Sequence, residues 1–126
     1  MTIIGLPSKG NGGLNESIEK RFGKCESITL VSLKNKNIAA VKTFFIHSNE
    51  VVGNMGTNVA NLVNNNKASI VIVQYIGSKA FKLLKSQGVK IFQIVKDELI
   101  IKECIKLYLQ DKLAILEQPN SHLFEE

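Results

Sequence analysis

Seven residues, Ser69-Ile70-Val71-Ile72-Val73-Gln74-Tyr75, limit the fold of this chain more than any other stretch. Their centre is an unbroken β-branched run with no polar residue alternating into it. Such a run suits a strand covered on both faces, so a central position in a sheet with helices on either side is expected. The flanking segments fit that frame. From Thr57 the apolar positions Val59, Leu62 and Val63 recur at helical spacing until Asn64-Asn65-Asn66 ends the helix. Ser78 then caps a helix carrying Phe81, Leu83 and Leu84, which Gly88 closes at a C′-like position. Residues 89–95 read as a further strand. Asp97 or Glu98 opens a last helix with Ile101, Cys104, Ile105 and Tyr108 along one stripe.

Upstream, residues 2–6 read as a strand stopped by Pro7 and the Gly10, Gly12, Gly13 cluster, and residues 16–21 as a helical turn. Residues 27–33 and 38–46 then form a hairpin across the Lys34-Asn35-Lys36-Asn37 turn. The order β-β-β-α-β-α-β-α predicts an α/β fold, a hairpin beside parallel strands joined by right-handed crossovers. In open sheets of this kind ligands bind beyond the carboxyl ends of the parallel strands. Three segments therefore belong together at one edge, namely residues 53–57, 77–79 and 96–98.

The first of these, Gly53-Asn54-Met55-Gly56-Thr57, follows an apolar β-like run and opens a helix, and Gly77-Ser78-Lys79 repeats the step. A helix N-terminus presents unpaired N–H groups and a partial positive charge, which favours an anion. Each glycine also has a purely conformational explanation, a turn at positive φ or a close approach of strand and helix. Lys79 opposes the dipole preference for acids in a first helical turn, and a bound anion would compensate it. The loops spell neither G-x-x-x-x-G-K-[ST] nor G-x-G-x-x-G, so nucleotide chemistry of those kinds is unsupported.

Charge is unevenly distributed: residues 1–96 carry 13 Lys and Arg against four acids, residues 97–126 three against seven. A basic body of this kind suits an anionic ligand, an acidic protein or a nucleic acid. The 126 residues, 44% of them hydrophobic, suffice for one domain with a real core. Two cysteines with 78 residues between them match no zinc spacing and no disulfide framework, which predicts a reduced, cytoplasmic setting. No signal peptide is expected, because the apolar run at residues 1–7 lacks a basic leader. No stretch approaches the ~18 apolar residues of a membrane helix.

Among soft donors, Cys25 follows Phe22-Gly23-Lys24 at the mouth of the second strand, where a thiolate could bind iron or be activated by Lys24. The alternative is a semi-buried, inert thiol. Cys104 belongs to the apolar stripe of the last helix and reads as core. Met55 is a weak thioether donor or a gap-filling hydrophobe. His47 could ligate a metal through one ring nitrogen or be a plain surface residue at a strand end.

Taken together, Glu19-Lys20-Arg21-Phe22-Gly23-Lys24, the hairpin, the glycine loop after it, Ile76-Gly77-Ser78-Lys79-Ala80-Phe81 and Lys85-Ser86-Gln87-Gly88-Val89-Lys90-Ile91 resemble the NifX/NifB C-terminal family of dinitrogenase iron-molybdenum cofactor biosynthesis domains. The resemblance runs from Thr2 to Leu113, which implies one domain over residues 1–113 and a tail over 114–126. It implies a ribonuclease-H-like fold with a mixed five-stranded sheet. It further implies a carrier or scaffold for an iron-sulfur or iron-molybdenum type cluster, working with a protein that donates or accepts the cluster. Members that bind the cofactor have a histidine near the glycine loop, and His47 is the nearest counterpart, though Glu50-Val51-Val52 separates it from Gly53. The acid often found after the first strand is replaced by Ser8, Lys9 and Asn11. The alternative within the same family is a protein-interaction or regulatory domain without a cluster.

Two rivals are disfavoured. A two-metal nuclease needs carboxylates on or beside its strands, and no strand read above contains Asp or Glu. A nucleic-acid platform needs aromatics interleaved with basic residues, and only Phe44 and Phe45 stand in a strand near Lys42. The expectation is a non-enzymatic protein.

Overall fold

The computed structural model of the protein describes residues 1–46 and 55–123. His47, Gly53 and Asn54 lie outside these described residues. The elements run β1 (Thr2–Ser8), β2 (Ser27–Lys34), β3 (Asn37–Phe45), α1 (Met55–Asn65), β4 (Ile70–Val73), α2 (Ser78–Ser86), β5 (Lys90–Gln93), α3 (Ile101–Leu109) and β6 (Ala114–Ile115). One sheet orders them β3-β2-β1-β4-β5-β6. The pairs β1–β4 and β4–β5 are parallel, and the other three pairs are antiparallel.

Alternation along the inner strands divides the apolar side chains between two cores. On one face Ile28, Leu30, Val71, Val73 and Ile91 pack with Val59, Ala60 and Val63 of α1 and Ala80, Phe81 and Leu84 of α2. On the other, Ile4, Leu6, Val31, Leu33, Ile70 and Ile72 pack with Ile101, Cys104 and Ile105 of α3. All four residues of β4 are buried, as its sequence requires. Burying one such Ile or Leu contributes roughly 1.5–3 kcal/mol, so this strand anchors both layers. The stripes expected on the three helices supply the helical half of both cores, and Gly88 closes α2 at φ +79°.

Four expectations need correction. The sheet has six strands, not five, because Ala114 and Ile115 pair antiparallel with Gln93 and Phe92 in a segment read as tail. Strand β1 does not stop at Pro7 but pairs through Ser8 with β2. The ladder to β4 is recorded at Ile4 and Gly5, so beyond Gly5 the missing proline N–H forfeits little there. Residues 16–21 form no helical turn. Ile18 and Phe22 mimic an i, i+4 pair, yet they join opposite cores across the sheet. The connector between them is extended, bridging Ser8 to Ile18, Ser17 to Ile100 and Arg21 to Tyr75. Finally, α3 starts at Ile101 rather than Asp97 or Glu98. Glu98 adopts φ +61°, Ile100 is extended, and the Glu103 carboxylate accepts the Ile100 N–H at 3.0 Å.

Cys104, fully buried against the sheet, has its thiol pushed up to about 12 from 9.0, chiefly by burial, with Glu103 adding to it. A group whose native pKa is raised contributes stability below its unfolded value and loses it as pH rises through the native one. The wild type should therefore lose stability relative to Cys104→Ala between about pH 9 and 12. Urea midpoints for the two proteins at stepped pH check this, and parallel curves would refute it.

Candidate functional site

Beyond the carboxyl end of β4 lies an open cavity of about 540 Å³. Its walls come from four places in the chain: the 3-10 turn Phe22–Lys24, the first residues of α1, the turn from β4 into α2, and Ser121 of a second 3-10 turn, Ser121–Leu123.

Each wall has a local cause. The Phe22 N–H donates to the Tyr75 carbonyl at 3.0 Å and the Tyr75 N–H to the Lys20 carbonyl at 2.9 Å, so Arg21 is pinned beside Tyr75. Phe22 is buried in the core under α1 and α2, which leaves Gly23 and Lys24 facing outward. A Cβ on Gly23 would lie 3.1 Å from the Gly56 nitrogen and 3.2 Å from its Cα. This 3-10 turn and the start of α1 thus touch backbone to backbone.

Arg21, Lys24 and Lys79 line the cavity, and among the described residues no carboxylate does. Gly77 is the N-cap of α2 and supplies no side-chain cap, leaving the first amides of α2 without that usual partner. Neither α1 nor α2 has an acid in its first turn. Two helix N-termini, each carrying roughly half a positive charge, therefore add to three cationic side chains. The arrangement suits an anion held by backbone N–H groups and charge.

Of the residues singled out from the sequence, Met55, Gly56, Gly77, Ser78 and Lys79 line this one cavity. Thr57 lies in α1 without lining it. The segment 96–98 is elsewhere: Asp97 accepts a hydrogen bond from the Gln74 amide at 2.6 Å and pairs with Lys20 at 3.6 Å. The Gln74 bond, and then Lys20, hold its carboxyl below the ordinary 3.8. Cys25 lines an adjoining cavity of about 500 Å³, which shares Lys24 and Met55 with the first. Burial pushes its thiol up to about 12, with backbone hydrogen bonding opposing and Glu19 reinforcing the shift. Among the described residues no group of three or more His, Cys, Asp or Glu is placed to hold a metal ion. No helix of the described residues is long and apolar enough to cross a membrane.

Sequence reasoning missed Arg21, Gly23, Tyr75 and Ser121 as lining residues. The punctuation Arg21-Phe22-Gly23-Lys24, a buried aromatic between cations, was the available signal for the first two.

The glycines separate into two kinds. Gly77 has φ −79°, and among the described residues a Cβ there would meet only Ser121 Oγ, at 3.8 Å. Neither conformation nor crowding requires glycine at 77, whereas backbone crowding does at 23. Gly23→Ala should destabilise the fold by about 1–3 kcal/mol through overpacking, and Gly77→Ala by less than about 1 kcal/mol. Chemical denaturation of both variants checks the contrast, and equal losses would contradict it.

Comparisons with known proteins bear on the family and the fold. The family model described as dinitrogenase iron-molybdenum cofactor matches residues 2–111. The uncharacterized protein MJ0580 of Methanocaldococcus jannaschii is 31% identical over 103 residues, 82% of this chain and 86% of that protein. Among solved structures, the apo form of the orange protein from Desulfovibrio gigas superposes with a TM-score of 0.78 at 23% identity, covering 95% of this chain and 97% of that one. A candidate NifB protein from Thermotoga, TM1290, gives 0.71 at 19% identity, with 100% and 98% covered. The chain belongs to the dinitrogenase iron-molybdenum cofactor family.

Proposed function

We propose that this protein is a non-enzymatic carrier or scaffold for an anionic iron-sulfur or iron-molybdenum type cluster, or a precursor of one. The cargo is received from, or delivered to, a cluster-handling protein. The observation that carries the reading is the convergence on one cavity of two helix N-termini and the cations Arg21, Lys24 and Lys79, with no carboxylate among the described lining residues. Support comes from the family's description.

The donor set fits such a cargo in a particular way. Amide N–H groups and cations satisfy the negatively charged sulfide surface of a cluster through hydrogen bonds and charge. The described residues offer no full set of metal ligands. In this proposal Gly53 and Asn54 are further amide donors, and His47 and Cys25 are the direct ligands. Cys25 faces the adjoining cavity across Met55. Ligation there must displace the proton from a thiol held at about 12, which a soft metal can drive.

The test uses tetrathiomolybdate, a soluble Mo–S dianion, titrated anaerobically into the whole chain at low salt. Binding should be one to one and weaken with added salt. Lys79→Glu should lower affinity at least tenfold, an effect of about 1.4 kcal/mol or more. Lys36→Glu, the same charge change at the far β2–β3 turn, should lower it less than about threefold. No binding, or equal effects of the two substitutions, would refute the cavity. Anaerobic isolation, with iron and molybdenum content measured before and after His47→Ala and Cys25→Ser, tests the direct ligands. A colourless protein that takes up no cluster on reconstitution favours the interaction or regulatory role.

A further inference from the structure

The family match ends at residue 111, yet one wall of the cavity is built by residues beyond it. The chain returns after α3 as β6, and the Leu116 N–H then donates to the Ile91 carbonyl at 2.8 Å while its side chain is buried. After Pro119 comes Asn120, only 4% exposed. Both ends of its amide are used: Nδ2 donates to the Gln74 carbonyl and Oδ1 accepts the Ile76 N–H, each at 2.8 Å. The backbone N–H groups of Asn120 and Ser121 both donate to the Ile76 carbonyl at 3.1 Å. Ile76 is thus held at its N–H and its carbonyl by two adjacent residues from the far end of the chain. It lies between Tyr75 and Gly77, both of which line the cavity.

These bonds place Ser121 on the rim, where its hydroxyl has no hydrogen-bond partner among the described residues. Its Oγ lies 3.8 Å from the point a Cβ on Gly77 would occupy. Conformation does not require glycine at 77, and a Cβ there would come into ordinary contact with that hydroxyl.

We propose that Ser121 is a ligand-contacting residue of the cavity, donating its O–H to the bound anion opposite the α2 amides. In this proposal Asn120 is the positioning residue that sets both Ser121 and the 75–77 backbone. The Ser121 contact rests on the cavity reading above, whereas the role of Asn120 in shaping the 75–77 turn does not. A short C-terminal strap thereby adds a hydroxyl donor to a site otherwise lined by amides, flexible cations and the side chains of Ser78 and Tyr75. Charge alone does not discriminate among anions of one valence, but a hydroxyl at a set distance favours those with an acceptor at that point.

Two measurements test this. The first needs no ligand: in Asn120→Ala, which removes the acceptor of the Ile76 N–H, amide exchange at Ile76 should rise at least tenfold, and in Asn120→Asp, which keeps that acceptor and loses only the donor to Gln74, it should rise less. The Gly77, Ser78 and Lys79 amide resonances should shift, while those of α3 stay in place. Unchanged exchange and shifts would overturn the positioning role whether or not anything binds. The second titrates tetrathiomolybdate and records the circular dichroism induced in its visible band. Ser121→Ala should weaken binding about tenfold and alter the induced signal, and Ser121→Thr should restore both. If Ser121→Ala binds within twofold of wild type while Lys79→Glu loses tenfold, the Ser121 contact is overturned and the cavity stands. If the wild type binds no probe, the cavity and the Ser121 contact fall together.

Discussion

The functional end of this molecule depends on two backbone hydrogen bonds, from the Phe22 N–H to the Tyr75 carbonyl and from the Tyr75 N–H to the Lys20 carbonyl. They extend β4 by one strand-like pairing after its regular ladders have ended. Without them the chain leaving β1 would have no reason to cross the sheet's carboxyl end. With them, Phe22 is driven into the core under α1 and α2, and the cations on either side of it face the opening. A buried aromatic of that size dominates local energetics, so the charged rim is set by an apolar anchor and a short ladder rather than by ion pairing. The cationic side chains need no precise geometry of their own, since the peptide backbone next to them is held on both sides.

The same logic explains which parts of the architecture are legible in the sequence. Strand β4 announces itself because four β-branched residues in a row have no solvent face to occupy. Strands β1 and β2 are legible as short apolar runs that serve both cores, and the stripes of all three helices because each helix buries one face and repeats its period long enough to be read. Residues 16–21 are not, because their path is set by bridges to distant segments, Ile18 to Ser8, Ser17 to Ile100 and Arg21 to Tyr75. Strand β6 is two exposed residues long, and its existence depends on an edge offered by β5. No periodicity can be read from two residues. The start of α3 was misread because acids at 97 and 98 look like a first helical turn. Asp97 is instead occupied by Gln74 and Lys20, and the capping carboxylate comes from Glu103.

The cavity is half legible for a comparable reason. Glycine and helix-start signals are local, so Met55, Gly56, Gly77, Ser78 and Lys79 could be named from the chain alone and are brought together. Arg21, Tyr75 and Ser121 become neighbours of that group only through pairings between distant segments, and nothing in their immediate sequence foretells it. Grouping residues 96–98 with the site followed a sound rule about the carboxyl ends of parallel strands. The rule does not say which face of the sheet a loop will serve, and Asp97 is drawn to Lys20 and Gln74 instead.

How tightly a site of this kind holds its cargo follows from the bonds available to it. Thiolate ligation to iron is strong and exchanges slowly, which suits a resident cofactor. A cradle of amides, lysines and an arginine binds through many weaker charge-assisted contacts, which are screened by salt and can be released one at a time. For a carrier the second kind is the more useful, because a receiving protein with better ligands can take the cargo without breaking a covalent anchor. Cys25 marks the boundary between these regimes. Its proton is retained by burial, so the thiol stands beside the cradle as a dormant soft donor rather than as an open thiolate. In the proposed carrier, release from the amide cradle would be governed by electrostatics, and the uneven charge along the chain, basic through residue 96 and acidic after it, would bear on it. An approaching partner with an acidic face would be drawn to the basic body of the protein and would compete with the anion for the same lysines.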